Sequence, residues 1–408
     1  MKVKISGVLA ALALLAAGAC CVLSGCALAG EEEIVPVAAT SPGERFRGGE
    51  IPNAIPGNPP VDLQPPNTAA DVEAILAGRN RVREVTRGGP QQNLGALASL
   101  GPVQPDPQRQ WTVIAYLNGD FIPASELVVS TEDLGFSQGV SVSERLRTFR
   151  GRLFRLDEHL DRLANSLRIV DLQPGLSIAR IGELANELVS RNGHLLLDGD
   201  DLGVSLFVTP GVPPRLDPTI GLRAYPLPFG QWASYYEHGQ ALTETGVRQV
   251  PESCWPAALK CRSRMHYFLA DRLAHALDPG SRAVLLDQDG SVSEASTANV
   301  LFYRRGEGLV SPPRERILPG VSLSVLAELA AGLAIPLHFR SFQLEELAVA
   351  DEILMCSTSP CVWPVTRLNG QPREPGAGGA IFQQILQAWN ELVGVDIVAQ
   401  ARRFSFRT

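Results

Sequence analysis

Lys260, in the stretch Ala257-Ala258-Leu259-Lys260-Cys261-Arg262-Ser263-Arg264-Met265, is the only lysine beyond residue 4 of a 408-residue chain that carries 33 arginines. A coding bias toward arginine would leave such a survivor by accident. Chemistry offers a second account. On a surface arginine does most of what lysine does, but its guanidinium stays protonated in a protein. A free amine that attacks a carbonyl carbon to form a Schiff base is lysine's work alone among side chains. The apolar neighbours Ala257, Ala258 and Leu259 would desolvate such an amine and lower its pKa.

The other reactive residues offer little. Seven cysteines, at 20, 21, 26, 254, 261, 356 and 361, form no C-x-x-C pair. Six histidines, at 159, 194, 238, 266, 275 and 338, form no H-E-x-x-H, so no zinc site is expected. The four downstream cysteines read as small buried hydrophobes, with a disulfide left open. A net charge of -7 gives no basic footprint for nucleic acid.

Elements must bring the lysine to its partners. From Trp111, "WTVIAYLNGDFIP" reads as two strands around an Asn118-Gly119 hairpin turn, and "ERLRTFRGRLFRL" repeats the arrangement around Arg150-Gly151. Asp157 is expected to cap a helix bearing Leu160, Leu163 and Leu167. A further helix is expected near 177–191, with strands near 202–209 and 221–227. Beyond Leu227 the pattern predicts a helix after Lys260 to about Leu277, strands at "RAVLLD" and "NVLFYR", and a helix opened by "LPGVS". Strand–helix alternation then runs to "AIFQQILQAWNELV". The expectation is an α/β (α+β) chain with a smaller domain at 111–230 and a larger one at 231–400, hinged near 228–240.

From about Trp111 to Val393 the chain resembles the class IV pyridoxal-phosphate enzymes, a fold-type IV group that includes branched-chain and D-amino-acid aminotransferases and aminodeoxychorismate lyase. The block "YLNGDFIPASELVVSTEDLGFSQGVSVSERLRTFRGRLFRLDEHLDRL" resembles the family's N-terminal signature, and the resemblance implies that Arg162 binds the cofactor phosphate. Lys260 matches the Schiff-base lysine, which would also carry the proton between substrate carbon and cofactor. "SVSEASTANVLFY" resembles the segment whose acid, here Glu294, faces the pyridine nitrogen. "ILPGVSLSVLAELA" resembles the phosphate turn, with the backbone N–H groups of Val321 and Ser322 as an anion seat at a helix start. "DEILMCSTSPCVWPV" resembles the block whose threonine, here Thr358, completes the phosphate cup.

The substrate side departs from every subfamily. Ser143 stands where amino-acid aminotransferases place an aromatic residue, Met265 where the branched-chain enzymes have a tyrosine (with Tyr267 two residues on), and Leu323 where an arginine is usual. Arg215 keeps half of an Arg-x-His carboxylate pair, with Asp217 in place of the histidine, and Arg147 is a second carboxylate candidate. Three functions therefore stand: an aminotransferase acting on amino acids and 2-oxo acids, a carbon–carbon lyase releasing pyruvate, or a membrane-tethered scaffold without catalysis. The resemblance implies a homodimer.

Lys2 and Lys4 precede an uncharged run from Ile5 to Gly30, the layout of an export signal. Leu23-Ser24-Gly25-Cys26 resembles a lipoprotein lipobox with Cys26 lipidated, Ala27-Leu28-Ala29 would serve as a cleavage site, and the run is long enough for an uncleaved anchor. Each account puts residues 1–30 at a membrane, with the alternative that catalysis stays in the cytoplasm. Residues 31–110, rich in proline and glycine, read as a disordered linker.

Overall fold

The computed structural model describes residues 112–407, so Cys26, the signal-like segment and the linker lie outside the described residues. β1 (Ile114–Leu117) and β2 (Asp120–Pro123) turn through Asn118 and Gly119, whose φ angles are 46° and 122°. Positive φ at both central residues matches the twist of paired strands. β3 (Val142–Phe149) and β4 (Arg152–Leu153) repeat the turn through Arg150 and Gly151, at 54° and 73°. With β5 (Leu202–Thr209) and β6 (Thr219–Pro226) they form an antiparallel six-stranded sheet in the order β2-β1-β6-β5-β3-β4.

Two helices, α1 (Leu156–Ile169) and α2 (Ile178–Arg191), cover this sheet. Leu163 and Leu167 of α1 and Ile181, Leu184 and Leu188 of α2 share one core cluster with Leu146, Val204, Leu206 and Leu222 of the strands. The expected cap at Asp157 is corrected. Arg155, at φ 53°, turns the chain left-handed straight out of β4, so the helix begins earlier and Asp157 falls in its first turn. There its charge still suits the positive end of the helix.

The second sheet is mixed. β7 (Gln240–Arg248), β8 (Ser281–Leu286), β9 (Val292–Ala295), β10 (Asn299–Arg304), β11 (Gly308–Ser311), β12 (Leu337–Phe339), β13 (Glu352–Ser357) and β14 (Cys361–Leu368) lie in the order β12-β11-β10-β13-β14-β7-β8-β9. A short β15 (Gln371–Pro372) pairs with β14. Strand pairs β7–β8, β7–β14 and β11–β12 are parallel. β13 is buried over its four central residues, consistent with a central strand whose sequence is apolar rather than alternating.

Between the sheets in sequence, within the 228–240 stretch expected to join the two domains, stands a packed helix. α3 (Phe229–His238) buries Phe229, Trp232 and Tyr236, and the Gly230 N–H donates to the Arg407 carbonyl at 2.7 Å. The Phe229 ring lies 5.6 Å from that of Phe404. The larger half adds α4 (Met265–Leu277), α5 (Val321–Gly332), α6 (Ala380–Val393) and a final α7 (Ile397–Arg403). The cysteine expectation is half right: Cys356 and Cys361 are buried, but Cys254 is exposed and Cys261 only partly covered, and all four are free thiols.

Candidate active site

Lys260 sits in no regular element, yet its backbone is held from two sides. The Ser143 N–H donates to the Lys260 carbonyl at 2.9 Å and the Arg262 N–H to the Ser141 carbonyl at 3.1 Å, so residues 260–262 run alongside the start of β3. On the other side the Lys260 N–H donates to Ser166 Oγ of α1 at 3.1 Å. The side chain lines a cavity shared with Arg162, Tyr267, Glu294, Ser322 and Thr358. Burial, with the Arg162 guanidinium adding to it, pushes its amine down to about 7.

Glu294, on β9, is buried and accepts three donors. Gln249 Nε2 donates to Oε1 at 2.8 Å, the Leu318 N–H to Oε2 at 3.2 Å, and the Tyr267 hydroxyl makes a short bond to Oε1. Burial nevertheless raises its carboxyl above the ordinary range, against those bonds. Tyr267 belongs to α4, the helix that starts five residues after the lysine.

The helix opened by "LPGVS" is α5, with Gly320 at its cap and no capping side chain. Its first N–H groups have no acceptor within the helix. A Cβ on Gly320 would meet Asn299 Oδ1 at 2.0 Å, so any larger residue here would displace the Asn299 side chain from this helix start. Asn299 Nδ2 donates to the Leu318 carbonyl at 3.1 Å and fixes the turn from the other side. Val321, Ser322 and Thr358 all line the cavity.

Beneath the cavity lies a buried ion pair. Arg162 donates from Nε and Nη2 to the two oxygens of Glu144, both at 2.8 Å, and from Nη1 to the Pro319 carbonyl at 2.9 Å. His159 Nδ1 is 2.8 Å from Glu144 Oε2. The Arg162 guanidinium holds the Glu144 carboxyl well below its usual range despite burial. Burial also lowers the pKa of His159. With one Nη1 hydrogen left over, Arg162 faces the turn that precedes α5.

The amino-transferase class IV family model matches residues 141–368, more than half of the chain. The chain belongs to the class IV aminotransferases. A D-alanine aminotransferase from Staphylococcus haemolyticus is 27% identical over 284 residues, covering 68% of this chain and 97% of that protein. Another from Listeria monocytogenes is 28% identical over 285 residues, covering 67% and 94%. Among solved structures, the branched-chain aminotransferase of Escherichia coli matches with a TM-score of 0.63 at 22% identity, covering 69% of this chain and 95% of that one. The T.th. branched-chain enzyme complexed with N-(5'-phosphopyridoxyl)-L-glutamate gives 0.62 at 22%, covering 70% and 96%.

The cofactor of this class IV aminotransferase is pyridoxal phosphate. The residues present suit it: an uncapped helix start opened by a glycine for an anion, one desolvated amine, and one buried acid on the same cavity. A neutral amine is needed to attack the cofactor aldehyde. A lysine titrating near 7 is largely neutral above that pH and protonated below it. The rate at which cofactor-free protein takes up pyridoxal phosphate covalently should therefore rise through pH 7 and level off above about pH 8. Stopped-flow absorbance from pH 5.5 to 9.5 reads this directly, and a rate still climbing at the top of the range would mean an ordinary lysine.

The three substrate-side candidates all lie off the cavity wall. Ser143 is buried and does not line the cavity; its N–H holds the Lys260 carbonyl instead. Arg147 is fully buried away from the cavity. It donates from Nη1 to the Ser359 carbonyl at 2.7 Å and from Nη2 to Gln400 Oε1 at 2.9 Å, with its guanidinium 3.8 Å from the centre of the Phe149 ring. Arg215 is 85% exposed on a surface loop beside Asp217, 3.5 Å away, and does not reach the cavity. Glu144 and Gln249 are site residues that the sequence reading does not single out. A lone acid inside the mostly apolar "GVSVSERL" strand is the available signal for the first; nothing local marks the second.

Proposed function

We propose that this enzyme moves an amino group between an amino acid and a 2-oxo acid, with Lys260 as the covalent attachment point of the cofactor. The observation that carries this reading is the only lysine beyond residue 4, desolvated on a cavity wall that also bears the buried Glu294. Arg162, Val321, Ser322 and Thr358 would hold the phosphate, and Glu294 would sit as the acid for the ring nitrogen. When bound, the cofactor supplies the electron sink for the substrate's α-carbon. Lys260 Nζ, once released, accepts and returns the proton at that carbon.

The D-alanine aminotransferase relatives make D-alanine with a 2-oxo acid acceptor the first pair to assay. Screening D- and L-amino acids against 2-oxo acids should give ping-pong exchange of the amino group. Pyruvate released from aminodeoxychorismate without any 2-oxo acid acceptor would favour the lyase instead, and no turnover with a loaded cofactor would favour the scaffold.

A homodimer belongs to the same proposal. It is supported by an apolar stripe on α4, where Met265, Phe268, Leu269, Leu273 and Leu277 are between 46% and 70% exposed. Membrane attachment through residues 1–30 rests on the sequence alone; probing membrane and soluble cell fractions with an antibody to the folded part tests it.

A further inference from the structure

Arg264 lines the same cavity as Lys260 and Glu294. It stands at the start of α4, where its carbonyl accepts the Phe268 N–H at 3.0 Å, so its backbone is fixed by the helix. Among the described residues no carboxylate lies within ion-pair distance of its guanidinium and no hydrogen bond engages its side chain. That sets it apart from Arg162, which is anchored on Glu144, and from Arg147, whose donors are satisfied by Ser359 and Gln400. The one acid on the cavity wall, Glu294, already accepts from Gln249, Tyr267 and Leu318.

Its surroundings are cationic as well. Among the described residues Arg262 reaches no acid, only Ser205 Oγ at 3.4 Å and the Phe207 ring at 6.0 Å, and Arg145 lies over the Tyr225 ring at 5.2 Å. The charge of Arg145 is close enough to disfavour those of both Arg262 and Arg264. A partly buried guanidinium without an anion is costly to hold, and a charge-assisted bond from a carboxylate relieves that cost. Each of the other arginines considered for a carboxylate is buried elsewhere or on the surface.

We infer that Arg264 binds the carboxylate of the substrate, with Arg145 and Arg262 drawing that anion toward the cavity. The inference rests on the aminotransferase reading above and names the residue that makes the enzyme select carboxylic acids over simple amines.

The test compares wild type with Arg264→Gln, both loaded with cofactor, using a non-reacting pair of equal chain length: 4-methylvalerate and 4-methylpentanol. Binding is read from the cofactor absorbance. The dissociation constant for the acid should rise roughly 10- to 100-fold in the variant, while that for the alcohol stays within about twofold. Arg264→Lys should restore part of the loss. The proposal is overturned if the acid binds equally well to both proteins, or if acid and alcohol weaken together. Because binding is measured without turnover, absence of aminotransfer in the wild type would sink the functional reading and leave this result standing on its own.

Discussion

Lys260→Arg should lower turnover by at least about 10⁴-fold while leaving the protein folded. Proton transfer by a positioned side chain is commonly worth about 10²–10⁴-fold, and the substitution also removes the covalent attachment point. Arginine sets a permanent positive charge at nearly the same reach, so a role that needs only the cationic form of this side chain would survive the change. An imine-forming role would not, because a guanidinium stays protonated. Steady-state exchange of an amino group gives the rate. Borohydride reduction followed by peptide mass spectrometry gives the attachment site, with little ambiguity since no other lysine lies beyond residue 4. Wild type should carry the label on the peptide containing Lys260, and the variant should carry none. A loaded, reduced wild-type protein whose Lys260 peptide is unlabelled would remove Lys260 from the chemistry.

Glu294→Gln is expected to slow turnover by about 10²–10³-fold, corresponding to the roughly 2–4 kcal/mol that one well-placed electrostatic partner supplies in a transition state. The substitution is nearly isosteric. Its amide oxygen can still accept from the Leu318 N–H or the Tyr267 hydroxyl, which hold the native carboxylate. The negative charge is lost, with the bond on whichever oxygen becomes the amide NH2, but Lys260 is untouched, so borohydride labelling at Lys260 should persist. Single-turnover kinetics with an amino acid, followed by the loss of the cofactor's absorbance, isolate the effect from product release. Near wild-type kinetics would show that Glu294 does not face the ring nitrogen.

Much of this architecture is legible because local chemistry and final position agree. Asn118-Gly119 and Arg150-Gly151 form the turns expected of them, and α2 and α5 begin at Ile178 and Val321, where the patterns put them. Where the reading fails, distant contacts decide. Asp157 looks like a cap, but the left-handed Arg155 closes β4 directly into the helix. Ser143 and Arg147 alternate correctly on β3, yet period-two alternation says only that they share a face. It cannot say that Gln400, more than two hundred and fifty positions away, claims the Arg147 guanidinium. Arg264 is illegible for the opposite reason: an arginine near a lysine is unremarkable until its lack of a partner is visible in three dimensions.

The clasp between Arg147 and Gln400 bears on how the polypeptide can be handled. Gln400 also donates from Nε2 to Asp201 Oδ2 at 2.8 Å, so one amide separates a buried cation from a buried acid. Arg147 in turn holds the carbonyl of Ser359, the residue after Thr358. Trimming the chain before α7 would therefore remove a strut from beneath the Thr358 side of the cavity, although the cut lies about forty residues downstream in sequence. Anyone shortening this protein for crystallisation, or splicing a partner onto it, should treat its final helix as part of the enzyme's interior rather than as a tail.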